Sequence, residues 1–491
     1  MNFRFRHLRW IVSLVIGCVL CVGMDLAEAQ SDINIASALL NTDSDPGSPG
    51  YMNVGQQRVT PRGEALTDDE KRERDIHANT ELDPEHNSDK KTSLTSSASP
   101  QDAAPQPNPP EQPAAKPEFE IYGFAMLDMG YDAGQTDPAW FDVERPTKLP
   151  AFHDEFGHDG NFYAGVRQSR FGVKSKVPTK LGDLKTVFEF ELFGVGVDAS
   201  QTTFRLRHAY GELGQFLAGQ TWSPFMDPDV FPNSIEYWGP SGMVFFRNVQ
   251  LRWQPVHNEN HQVMIALERP GASADLGAVA DRDILQGVKF RFPAPDLSGR
   301  VRYGGKRTYL QMAGMVRYIA WNDSAPTAVT NLTGHTFGWG AHVSSNIGVG
   351  AKDAFKWSVI YGHGVENYMN DAPVDIAPKL TTNIRRPITG DPLPVLGVVA
   401  FYDRYWSEKW STSIGYSLIN ITDVPLQLPD SFRRGQYGLV NLLYYPVKDM
   451  MVGGEFQWGR RENFRDGWSF NDYRVQLSAR YNFSFKRGGS Q

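Results

Sequence analysis

The residues in this sequence best equipped for chemistry are basic ones set two apart. Arg170, Lys174 and Lys176 in RFGVKSK, Arg205 and Arg207 in RLR, and Arg300 and Arg302 in RVR share parity within their segments. Positions i and i+2 of a β-strand point to one side, so each set lines one face. Arg252, Arg317, Arg474 and Arg480 take the same face in other segments. A guanidinium grips a carboxylate with two parallel hydrogen bonds and stays charged at any relevant pH. The chemistry on offer is recognition of anions. Bond-making finds little support. His208, His342 and His363 lie on or beside strand-like runs, with His208 on the outward parity, but no Gly-x-Ser-x-Gly elbow or His-Glu-x-x-His pair accompanies them. The chain is read as not an enzyme.

The elements that position these residues repeat a two-residue period. Tyr473, Val475, Leu477, Ala479, Tyr481, Phe483 and Phe485 alternate with Arg474, Gln476, Ser478, Arg480, Asn482 and Ser484. The segments around Phe337–Ser344, Ser411–Leu418 and Met450–Trp458 alternate the same way. After residue 30 no apolar run is long enough for a membrane helix. Runs of about ten alternating residues, parted by Gly, Pro, Asn and Asp turns, are the pattern of membrane barrel strands. The fold class expected is all-β: a sixteen-stranded antiparallel transmembrane barrel, with short turns at one end and long loops at the other. The segment 284–292 is also strand-like. A seventeenth strand would break the even count, so it is assigned to the loop after the seventh strand.

The face assignment follows from the solvent. A Lys or Arg facing hydrocarbon at mid-membrane costs about 2–4 kcal/mol, so the basic face belongs to the lumen. The inward set is then Arg170, Lys174, Lys176, Arg205, Arg207, Arg252, Arg300, Arg302, Arg317, Arg474 and Arg480. Rings of such residues favour anions. The proline-rich stretch after the fifth strand, Ser223–Gly242, is read as a constriction loop folded into the barrel, with Asp227, Asp229 and Glu236 facing the wall arginines.

The ends differ in composition. Residues 1–29 carry a basic start, a short apolar run and Ala27-Glu28-Ala29, the marks of a cleaved signal peptide. Both cysteines, Cys18 and Cys21, fall inside it, which leaves the exported chain without a disulfide or thiol site. Residues 30–117 are expected to be a disordered, low-complexity periplasmic tail that holds most of the acidic excess behind the net charge of −7. Residues 118–491 form the barrel. No cofactor, metal or nucleic-acid partner is expected, and the location expected is the bacterial outer membrane.

Residues 167–190 and 203–227, above all RHAYGELGQFLAGQTWSPFMD at Arg207–Asp227, resemble the DcaP-like family of trimeric outer-membrane porins. The resemblance implies a homotrimer passing small organic anions such as dicarboxylates, without covalent chemistry. The chain departs from the family in two ways: its tail lacks a heptad repeat, and it runs on past Phe485. Two other readings stay open. One is a plugged structural barrel that tethers the envelope through its tail; the other is a barrel enzyme.

Overall fold

The computed structural model describes residues 116–488. The expected signal peptide and nearly all of the expected tail lie outside the described residues. Every non-proline backbone unit carries a donor and an acceptor, and hydrocarbon offers neither a partner, so spanning strands must close into a ring. They do. Eighteen strand segments form one sheet, closed by Glu118–Asp132 pairing antiparallel with Ser469–Arg487, from Phe119↔Arg487 to Asp132↔Arg474. Two strands are interrupted. Asn161–Gly165 and Arg170–Thr179 both pair with Glu118–Asp132, and Val288–Arg291 and Asp296–Gly304 both pair with Thr308–Asp323. Each such couple is one barrel strand, so the barrel has 16.

The second interruption corrects the sequence reading of 284–292. Val288–Arg291 is the outer part of the eighth strand rather than loop. Pro293 and Pro295 lack the N–H that a ladder needs, so pairing stops at Arg291 and resumes at Asp296. A break in one strand preserves the even count.

The expected faces are present. Tyr473, Val475, Leu477, Tyr481 and Phe485 are exposed on the outer wall, Phe485 at 68 %, whereas Arg474, Gln476 and Ser478 are buried within. From Tyr473 to Phe485 the strand runs about 40 Å at ~3.4 Å per residue. Tilted by about 45°, that spans about 28 Å along the membrane normal, which matches a hydrocarbon core with an aromatic residue at each border. Leu477 stands near the middle of this row. We expect Leu477→Arg to destabilise the barrel by about 2–4 kcal/mol, seen as a smaller folded, heat-resistant fraction on electrophoresis.

One face assignment fails locally. Glu189 pairs with His208 and Phe190 with Leu206, so Arg207 is the extra residue of a β-bulge in the fourth strand, Thr202–Leu213. The bulge turns Arg207 and His208 both inward, at 5 % and 8 % exposure. His208 Nδ1 lies 3.0 Å from Thr221 Oγ1. The outward placement of His208 is thereby corrected, because parity reverses at a bulge.

The apolar core lies inside the lumen. Loop residues Phe225, Met226, Met243, Val244 and Tyr368 pack on inward residues of the wall such as Ile360, Val399 and Ile419. Three long loops, 133–160, 223–246 and 364–393, supply most of this filling. The short turns, among them 305–307, 350–352 and 406–409, lie at the end where the chain enters the barrel.

Candidate functional site: the basic wall and the constriction loop

The second, third, fourth and sixth strands bring four guanidiniums around two carboxylates. Glu191 lies between Arg207 (2.5 Å), Arg170 (3.5 Å), Arg205 (3.6 Å) and Arg247 (3.6 Å). Glu189 accepts from Arg207 Nε at 2.7 Å and from the Tyr122 hydroxyl at 2.8 Å. Arg207 and Arg247 are buried, with 6 % and 7 % of their side chains exposed. Arg170 and Arg205 keep about a quarter of theirs in the lumen, at 25 % and 27 %. Arg170 Nε and Arg247 Nη1 have no hydrogen-bond partner. Four positive charges against two negative ones leave a local excess, and its accessible members are Arg170 and Arg205.

The same wall continues on either side. Lys174 sits 3.9 Å from the Tyr122 ring, and Arg170 and Arg480 both approach the Phe124 ring, at 5.1 and 5.5 Å. Lys176 pairs with Asp183 at 3.1 Å near the short-turn end. Arg300 donates to Gln262 at 2.9 Å, and the Nε groups of Arg252 and Arg300 are unpartnered.

The loop after the fifth strand crosses the lumen, as its prolines and glycines suggested. Asp227, fully buried, accepts from Arg302 Nη2 (2.7 Å), Tyr309 (2.8 Å) and Ser344 (2.6 Å). Asp229 takes the other edge of Arg302 at 2.5 Å. Farther along, Phe231 O accepts from Lys356 at 2.7 Å, Asn233 N donates to Asp403 at 3.2 Å, and Ile235 N donates to Glu455 at 3.1 Å. Gly242 lies so close to Leu418 O that a Cβ there would collide with backbone. The loop is therefore pinned from the eighth strand to the fifteenth. Its aromatics serve packing: Tyr237 stacks on Phe193 at 3.8 Å, and Trp238 meets Trp140 edge-on at 4.9 Å.

Three of the sequence-derived residues play a different part from the one expected. Glu236 faces backbone amides instead of a wall arginine: the Glu144 N–H donates to it at 3.2 Å, and the Gly239 N–H donates to its other oxygen. Burial pushes its carboxyl up to about 7, against the pull of those amides. Arg317 and Arg474 point inward as parity requires, but their side chains are 1 % and 0 % exposed. Arg317 is held by Asp296 (3.0 Å) and Asp375 (2.8 Å), and Arg474 by Asp132 (2.8 Å). The folded loops cover both, so they fasten loops to the wall and do not meet channel water. The reverse omission is Arg247. Strand parity gives it to the lipid side, yet it stands at the strand's end, where the loop turns it over Trp222 at 5.0 Å.

The first loop adds contacts that no local pattern announced. Arg145 is caught between Asp371 at 2.9 Å and the Trp238 ring at 3.9 Å. Burial lowers the Arg145 guanidinium from its ordinary value and raises the Tyr237 phenol and the Glu144 carboxyl from theirs. Among the described residues no group of three or more His, Cys, Asp or Glu is arranged to hold a metal ion.

Comparison with known proteins agrees with this architecture. The outer membrane channel DcaP of Acinetobacter baumannii is similar in fold, with a TM-score of 0.61 at 20 % identity, over 74 % of this chain and 97 % of that one. The anion-selective porin from Comamonas acidovorans gives a TM-score of 0.49 at 10 % identity, over 75 % of this chain and 100 % of its own. No curated protein matches the chain in sequence. The family model of the DcaP outer membrane protein matches residues 119–483, the whole ring of strands almost from end to end. The chain belongs to the DcaP outer membrane protein family, and its barrel lies in the outer membrane.

Proposed function

We propose that this barrel is a porin for passive diffusion of small anionic solutes, dicarboxylate-like in charge, and that it catalyses no reaction. The observation that carries the reading is the set of four arginines around Glu189 and Glu191, with Arg170 and Arg205 open to the lumen. An excess of fixed positive charge in a narrow, poorly screened passage raises the local concentration of anions. The resemblance to trimeric porins extends the proposal to a homotrimer, which would show conductance closing in three equal steps.

Liposome swelling tests the reading. Proteoliposomes should swell faster in succinate than in a neutral diol of similar size, and slower in a diamine. Equal rates for all three would remove the anion preference. One observation favours a second reading, the plugged barrel: loop residues Val143, Phe225, Met226 and Met243 have no exposure at all, so the loops pack the lumen tightly. No swelling in any solute would support that reading.

A further inference from the structure

Where the first loop meets the constriction loop, the lumen holds more acid than base. Glu144, in the loop 133–160, is 1 % exposed, and neither of its carboxyl oxygens has a hydrogen-bond donor from an amide, hydroxyl or guanidinium. Asp472 of the last strand is within hydrogen-bonding contact of it, and Asp472 Oδ2 is equally without a donor. Asp132 of the first strand completes the group. Gly134 N shares its hydrogen between Asp132 (3.1 Å) and Asp472 (3.0 Å). The one cation present is Arg474, which donates to Asp132 at 2.8 Å and stays 3.9 Å from Glu144. Glu236 faces the group from the constriction loop, and Tyr437 from the fourteenth strand. Three buried carboxylates against one guanidinium would leave two negative charges in a dry site if all were ionised. Such a site is not tolerated unless a proton is shared.

We propose that Glu144 carries a proton, turned toward the donor-less Asp472 Oδ2, and that this proton is a latch, holding the first loop down on the constriction loop. That proton makes one Glu144 oxygen a donor and gives one orphan acceptor a partner. Glu144 is then fixed in place, and its backbone N–H secures Glu236 at 3.2 Å. Loss of the proton puts two carboxylates side by side in a low-dielectric site. The first loop lifts, Glu236 loses a donor, and the passage widens. The docked arrangement binds more protons than the undocked one, so docking weakens as pH rises. The burial that raises the carboxyls of Glu144 and Glu236 is consistent with that direction.

Single-channel conductance of the full-length protein, recorded from pH 5.5 to 9 in constant salt, tests the latch. The expected result is a reversible rise of about twofold or more with pH in the natural protein. Glu144→Gln keeps the shape but cannot ionise, so it should hold the low conductance at every pH. Asp472→Asn should do the same. Trypsin provides a second readout through the Lys148–Leu149 bond of the same loop, and it also serves if neither variant assembles. Lys148 should be resistant at pH 5.5 and cut at pH 9 in the natural protein, and resistant at both in Glu144→Gln, with the denatured chain, cut at both pH values, as the control for trypsin's own pH dependence. A conductance and a cleavage pattern that ignore pH in the natural protein would overturn the proposal. So would a Glu144→Gln channel that follows pH as the natural one does.

Discussion

Replacing Arg170 and Arg205 together by glutamine is expected to remove most of the anion preference while leaving the barrel assembled. Both side chains reach Glu191 only at 3.5–3.6 Å and keep about a quarter of their surface in the lumen. Their loss leaves Arg207 and Arg247 against Glu189 and Glu191, a balanced group. A unit charge about 7 Å from a passing ion contributes about 0.6 kcal/mol even at the dielectric constant of water. Two such charges correspond to a fall of roughly five- to eightfold in anion permeability and a rise of about the same factor in cation permeability. High salt should shrink the difference, because the sites are partly screened. Arg207 is the wrong residue for this test. It holds Glu189 at 2.7 Å and Glu191 at 2.5 Å from a buried position, and removing one partner of such a group costs about 3–5 kcal/mol. Arg207→Ala should therefore appear as poor assembly, not as altered selectivity.

The second large effect belongs to Asp227. It is fully buried and accepts from Arg302, Tyr309 and Ser344, each from a different strand. Asp227→Ala removes the acceptor common to all three: Arg302 keeps Asp229 and Gln311, while the buried Tyr309 and Ser344 hydroxyls lose theirs at about 1–3 kcal/mol each. The barrel does not depend on this contact, since its strands pair without the loop. The loop does, because Asp227 fixes the first part of its crossing. We expect Asp227→Ala to form a normal heat-resistant barrel whose single-channel conductance is several-fold larger and noisier than the natural one. Unchanged conductance would mean that the loop does not set the narrowest point.

Much of this fold could be read from the sequence because hydrocarbon leaves a strand few choices. The rows 473–485 and 411–418 fall on the faces their periodicity gives, as Tyr416 outside and Ser411, Ser413 and Ser417 inside illustrate. What escaped were breaks in the period. The bulge at Arg207 reversed His208, and Arg247 turned inward at a strand end, where the two-residue rule no longer binds. The split of the eighth strand could have been found, since Pro293 and Pro295 mark it in the sequence. The bonds between loops could not. Arg145 with Asp371 joins residues 226 apart, and Gly134 with Asp472 joins residues 338 apart. No local pattern encodes such pairs, so the burial of Arg474 and Arg317 under the loops was equally invisible.

The reversal potential of the natural protein in a planar bilayer, under a tenfold gradient of potassium chloride, tests the central claim most directly. An excess of lumen guanidiniums predicts that chloride carries more of the current, with a potential of the sign set by the chloride gradient and a smaller one in the Arg170→Gln, Arg205→Gln channel. A potential of the potassium sign would contradict the account, because the fixed charge met by a passing ion would then be negative.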